Sequence, residues 1–205
     1  MVAYVIIPGI DGSDDGHWQS RWERAWGDSA VRIAPGSWTR PELADWVDAV
    51  RAAHDIAVAR GAGRVVLVAH SLGCWAAAAW LERVRPAGVS AFLAAPPDPR
   101  GPAFPAARAP TFLDLSARPL SGPALVVASD DDPYGDAPAS AALASGWQAP
   151  RRSVGAHGHL NSASGLGDWP AGRELLRTLV GGRAPRGADT SGGPAPWEGP
   201  TGGSR

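Results

Sequence analysis

Lysine is absent from the 205-residue chain, and arginine supplies all 19 of its basic side chains. That absence excludes a Schiff-base lysine, a phosphate-loop lysine of the Walker type and a Ser–Lys dyad. Cysteine occurs once, so an intrachain disulfide framework, a CxxC redox pair and a cysteine-rich zinc site are excluded as well. Charge of either sign is not in surplus: the formal net charge is −1, with no basic excess to neutralise the phosphates of a nucleic acid. No apolar run approaches the roughly 20 residues of a membrane span. The opening Met1-Val2-Ala3-Tyr4-Val5-Ile6-Ile7 lacks the basic segment and longer apolar core of a secretory signal. These absences predict a soluble cytoplasmic protein with no nucleic-acid or membrane partner, and the lone cysteine agrees with that compartment.

Glycine and proline, by contrast, are plentiful at 26 and 20 residues. Twelve of them fall within 181–205, a stretch almost without aliphatic side chains. Such a segment buries too little apolar surface to offset the entropy of ordering it. The expected organisation is a folded domain over 1–181 and a disordered Gly/Pro-rich tail over 182–205, in which Trp197 is an incidental solvated aromatic.

Within the domain, short apolar runs alternate with longer helical patterns. Strands are predicted at 2–7, 31–34, 64–69, 89–95 and 124–129, with a weaker one at 151–155. Helices are predicted near 16–27, 41–60, 72–84, 138–146 and 170–180. Several strands are apolar almost throughout, as in strands covered on both faces. The alternation predicts an α/β fold: a three-layer α/β/α sandwich around a mainly parallel sheet of about six strands. Trp18, Trp22 and Trp26 recur every four residues and read as a core-facing helical stripe. His54 reads as a helix-surface or half-buried residue.

The chemistry concentrates where the run 64–69 ends. Ala69-His70-Ser71-Leu72-Gly73 stands between an apolar strand and an alanine-rich helix, as a G-x-S-x-G nucleophile elbow does, with alanine for the first glycine. Small residues two before and two after the serine let strand, turn and helix approach closely. The helix beginning at Leu72 turns its free N–H groups toward the serine, so the Leu72 N–H is a natural oxyanion donor. Cys74 falls in the first helical turn, where packing is its expected role.

A serine hydroxyl needs a base to take its proton and an acid to orient that base. In this order of elements the acid and then the base follow later strands. The run 124–129 leads into Asp130-Asp131-Asp132-Pro133, and 151–155 leads into His157-Gly158-His159. Mutual repulsion disfavours burying more than one of the three aspartates as an ion. Asp132, before the rigid Pro133, is the first candidate and Asp131 the second; His159 is preferred over His157 as base. The His157-x-His159 pair lacks the additional ligands of a metallohydrolase, and neither metal nor cofactor is expected. The loop Pro8-Gly9-Ile10-Asp11-Gly12-Ser13 would supply the second oxyanion donor, from the Ile10 N–H or alternatively that of Asp11. A sheet order of 2-1-3-4-5-6 would set this loop beside Ser71 at a switch point.

Pro8-Gly9, Gly12-Ser13, His17-Trp18, His70-Ser71-Leu72-Gly73-Cys74, Ser129-Asp130-Asp131-Asp132-Pro133-Tyr134 and Gly158-His159-Leu160-Asn161 together resemble the small bacterial serine hydrolases related to YdeN and retinoblastoma-binding protein 9, of the α/β-hydrolase superfamily. The resemblance spans residues 4–180, with Ala69 as its main departure. It implies a minimal hydrolase sheet without a large lid, and a Ser71–Asp132–His159 triad. The activity expected is hydrolysis of a small acyl ester through an acyl-enzyme, with Trp75, Phe104, Phe112, Tyr134 and Trp169 as candidate pocket walls. The alternative is a non-catalytic binding protein on a hydrolase scaffold.

Overall fold

Five short runs rich in β-branched and small apolar residues and a sixth, polar edge run pair into one sheet. They are β1 (Val2–Ile7), β2 (Ala30–Arg32), β3 (Arg64–His70), β4 (Val89–Ala94), β5 (Ala124–Ala128) and β6 (Arg151–Ser153). Their order is β2-β1-β3-β4-β5-β6, and every adjacent pair is parallel. The computed structural model describes residues 1–181, so the expected tail over 182–205, with Trp197, lies outside the described residues.

Helices α1 (Trp18–Trp26), α2 (Leu43–Ala59), α3 (Gly73–Val84), α4 (Ala137–Trp147) and α5 (Pro170–Val180) connect the strands. Successive strand side chains point to opposite faces, and the two sets bury different helices. Ile6, Val66, Val68, Phe92 and Val127 pack with Trp18 and Trp22 of α1 and Leu176 of α5. Val5, Leu67, Ala69, Leu93 and Val126 pack with Trp46, Trp80 and Trp147 of α2, α3 and α4. This is the three-layer α/β/α sandwich, and burial on both faces explains why β3 and β4 are apolar over most of their length.

Where element ends differ from the sequence reading they do so by one or two residues, for local reasons. Helix α1 begins at Trp18 because the imidazole of His17 accepts the Gln19 N–H and caps the first turn. Helix α2 begins at Leu43, since Glu42 is extended, and Pro41 therefore precedes the helix instead of opening it. Strand β6 stops at Ser153, two residues short of the run expected to reach 155, where Gly155 takes a positive φ of 87°. The sheet reverses its order between β1 and β3, so the loops at their C-terminal ends diverge and leave a crevice there.

The tryptophan stripe of α1 packs inward, as its spacing predicted. Trp18 and Trp22 lie edge to face with ring centroids 4.6 Å apart, and Trp22 stacks on Trp169 at 5.8 Å. Trp26 is only half-buried, stacked on Tyr4, with the Arg173 guanidinium 5.7 Å from its ring centroid. Trp22→Ala should therefore cost about 3–5 kcal/mol, in the range for large-to-small core changes, and Trp26→Ala less than half as much. Urea unfolding of the two variants followed by circular dichroism measures the difference.

Candidate active site

Ser71 stands on the turn between β3 and α3 with φ at +54°, a left-handed conformation that costs a non-glycine residue about 1–3 kcal/mol. Two bonds hold it there. Its N–H donates to the Ala94 carbonyl at 2.9 Å, and its own carbonyl accepts the Cys74 N–H at 3.0 Å. The glycines on either side are sterically required. A Cβ on Gly73 would collide with the carbonyl oxygens of Ile7 and Pro8, and one on Gly9 would lie 2.7 Å from Ser71 Cβ. Ala69, where an elbow ordinarily has glycine, is accommodated: it is fully buried in the core beneath α3 and keeps its register with Ile7 and Leu93.

His159 bridges Ser71 and Asp132. Its Nε2 lies 2.7 Å from Ser71 Oγ, and its Nδ1 lies 2.9 Å from each carboxylate oxygen of Asp132. With an almost wholly buried carboxylate on Nδ1, the neutral ring carries its proton there, and Nε2 is left to accept the Ser71 hydroxyl. The neighbouring candidates do other things. Asp131 is exposed and accepts the Ser129 hydroxyl at 2.8 Å and the Gly158 N–H at 2.6 Å, bonds that hold its carboxyl below the ordinary range. Asp130 accepts the Ser153 hydroxyl at 2.5 Å. His157 is exposed, anchored by its backbone N–H to Ser129 Oγ at 2.8 Å.

The loop carrying His159 is tied down from beneath by residues that sequence reasoning did not assign to the site. His70 Nε2 donates to the His159 carbonyl at 2.8 Å, and Trp18 Nε1 donates to the Leu160 carbonyl at 2.8 Å. Buried Gln19 donates to the carbonyls of Ile7 and Val68, at 3.2 and 2.9 Å, joining the upper ends of β1 and β3. Only the His17-Trp18-Gln19 cluster at the start of α1 could have signalled this, and nothing local says what such residues reach.

Ser71 opens into a cavity of about 320 Å³ whose lining includes Gly9, Ile10, Leu72, Tyr134, His159 and Asn161. Among the described residues, neither the Ile10 nor the Leu72 N–H has an acceptor. The Asp11 N–H is taken by the Trp38 carbonyl at 3.0 Å, which removes it as the alternative donor. The loop is braced by Arg108, whose two terminal nitrogens meet the two Asp11 carboxylate oxygens at 3.1 and 2.5 Å. Of the five aromatic walls expected, only Tyr134 lines the cavity, its ring 4.5 Å from that of His159. Trp75, Phe104, Phe112 and Trp169 are buried in the two cores. Among the described residues, no group of three or more His, Cys, Asp or Glu side chains is placed to hold a metal ion. No helix among them is long and apolar enough to cross a membrane.

A family model described as serine hydrolase matches residues 4–178. No curated protein matches the sequence. A YdeN-like hydrolase of Pectobacterium atrosepticum superposes with a TM-score of 0.72 at 31% identity, over 88% of this chain and 90% of that one. The ydeN gene product of B. subtilis gives 0.64 at 22% identity, over 88% and 98%. Est1E of Butyrivibrio proteoclasticus, solved with ferulic acid bound, gives 0.69 at 13% identity, over 88% and 90%. The last two likenesses concern the fold alone. The chain belongs to the serine hydrolase family and is a small α/β hydrolase related to YdeN.

The buried histidines make folding stability depend on pH. Burial lowers the pKa of His17 to about 4, against a smaller opposing effect of Asp14, and burial likewise sets His70 well below its ordinary value. In the unfolded chain both titrate near 6.5. Between about 6.5 and 4 the unfolded chain binds protons that the folded chain refuses, so stability falls as pH drops through this window. His17→Phe should remove about 2–3 kcal/mol of the loss between about pH 7 and 4.5. Urea unfolding free energies of wild type and variant at the two pH values test this; equal losses would contradict it.

Proposed function

We propose that the chain hydrolyses small acyl esters through an acyl-enzyme formed on Ser71. The observation that carries this reading is the unbroken run of hydrogen bonds from Ser71 Oγ through His159 to Asp132, opening into a cavity beside two free N–H groups. In the first step Ser71 Oγ attacks the ester carbonyl carbon while its proton passes to His159 Nε2. Asp132 stabilises the imidazolium, and the Leu72 and Ile10 N–H groups receive the charge on the carbonyl oxygen. Collapse breaks the bond to the alcohol, which leaves with the proton from His159. Water then enters, gives a proton to the same nitrogen and attacks the acyl carbon; release of the acid restores the Ser71 hydroxyl. The cavity of about 320 Å³, at the small end of ligand pockets, favours short acyl chains as the small-molecule substrate.

Ser71→Ala should lower kcat/KM on 4-nitrophenyl acetate by about 10³-fold or more and abolish labelling by a fluorophosphonate probe. Full activity in the variant, or a wild type that the probe leaves unlabelled, would sink the mechanism and favour a binding protein on this scaffold. Gly9→Ala offers an independent check. Its methyl would press on Ser71 Cβ and lie 3.1 Å from Oγ, so esterase activity should fall at least about tenfold with the fold retained by circular dichroism.

A further inference from the structure

Two imidazoles in the wall of the cavity have no part in the mechanism just given, and their hydrogen bonds fix which of their nitrogens carry protons. His17 is 3% exposed, and its Nδ1 accepts the Gln19 N–H at 3.1 Å, so the neutral ring bears its proton on Nε2. That Nε2 is buried without a hydrogen-bond partner among the described residues. His70 is 5% exposed, and its Nε2 faces the His159 carbonyl, which can only accept, so the neutral ring leaves Nδ1 as a bare lone pair. Nδ1 of His70 also lacks a partner among the described residues. Both residues line the cavity that contains Ser71. Their ring centroids are 4.8 Å apart at 64°, so the two rings stand side by side in the wall.

An unfilled donor beside an unfilled acceptor is complementary to a group that both accepts and donates. We propose that His17 Nε2–H and His70 Nδ1 form a subsite for a hydroxyl group of the substrate, so that hydroxyl-bearing esters are preferred over their deoxy counterparts. The hydroxyl oxygen accepts from His17 and its hydrogen goes to His70. Burying a polar group without a partner is unfavourable, and a ligand lacking the hydroxyl leaves the buried His17 nitrogen in that condition. Both imidazoles are held neutral by burial, so the subsite reads an uncharged hydroxyl and offers a carboxylate no countercharge. This proposal rests on Ser71 being the nucleophile of an ester hydrolase.

The test measures kcat/KM by pH-stat titration of ethyl butyrate, ethyl 3-hydroxybutyrate, 2-hydroxyethyl butyrate and ethyl hydrogen succinate. One hydroxylated ester should exceed ethyl butyrate by about tenfold or more, and which one does so places the hydroxyl on the acyl or the alcohol half. The succinate, charged at neutral pH, should gain nothing. In His17→Leu the preference should shrink to about threefold or less, and His17→Gln, which keeps an N–H donor, should restore part of it. Wild-type rates that ignore both hydroxyls, a preference for the succinate, or a preference surviving in His17→Leu would overturn the subsite. So would turnover of none of the four esters while Ser71 still labels with fluorophosphonate. Absence of both turnover and labelling would instead remove the hydrolase reading on which the subsite depends. Should His17→Leu not fold, the wild-type ratios alone decide.

Discussion

The close approach of two backbones at the upper ends of β1 and β3 governs the rest of the site. Gly73 opens α3 directly against the carbonyls of Ile7 and Pro8, and Gly9 lies against the Ser71 side chain. The first contact is with main chain and the second with a Cβ, neither of which a rotamer change moves, and the chain meets the constraint by omitting side chains at both positions. The same proximity brings the Leu72 and Ile10 N–H groups to one cavity from different loops. Gln19 reinforces the geometry from below by bonding the carbonyls of Ile7 and Val68 across the β1–β3 pair. The left-handed backbone of Ser71 is affordable because parallel pairing to β1 and β4 fixes the strand up to the turn.

The run Asp130-Asp131-Asp132 shows how one loop can hold three carboxylates without burying three charges. Asp132 alone is enclosed, and its charge faces His159 Nδ1 and the Tyr134 N–H. Asp131 stays in solvent and fastens the 155–159 loop through Ser129 and Gly158, while Asp130 bonds Ser153 at the end of β6. The two outer aspartates thus join the loops on which Asp132 and His159 are carried. Buried Ser129 completes the connection, donating its hydroxyl to Asp131 and accepting the His157 N–H.

The sheet and its helices were legible because their signals are local: apolar runs of strand length, helical spacing of tryptophan, and glycine or proline at the breaks. Ser71 was legible for the same reason, as a short motif at a strand–helix junction. The choice of Asp132 was narrowed by the turn signal of Pro133, beyond which the Tyr134 N–H bonds the Asp132 carboxylate. What sequence did not reveal are contacts between distant segments. Trp18 reaches Leu160 across 142 residues, and His70 reaches the His159 carbonyl across 89, with no periodicity to announce either. The pocket walls failed for a related reason. An aromatic side chain is equally at home in a core or in a ligand cavity, and Trp75, Phe104, Phe112 and Trp169 went to the core.

Beneath His159 the protein places uncharged polar groups where a cation would be harmful. A reaction passing through an imidazolium at His159 gathers positive charge within 5.0 Å of the His70 ring centroid, and His70 in turn contacts His17 at 4.8 Å. A cationic side chain in place of His70 would carry a permanent charge that opposes that imidazolium in a poorly screened setting. Histidine kept neutral by burial supplies the hydrogen bond without the charge. The cost appears elsewhere, as two buried rings that resist protonation when the chain is acidified and as a His17 nitrogen without a protein partner. The fold tolerates that cost beside Ser71, where a buried donor and acceptor are also what a bound hydroxyl would need.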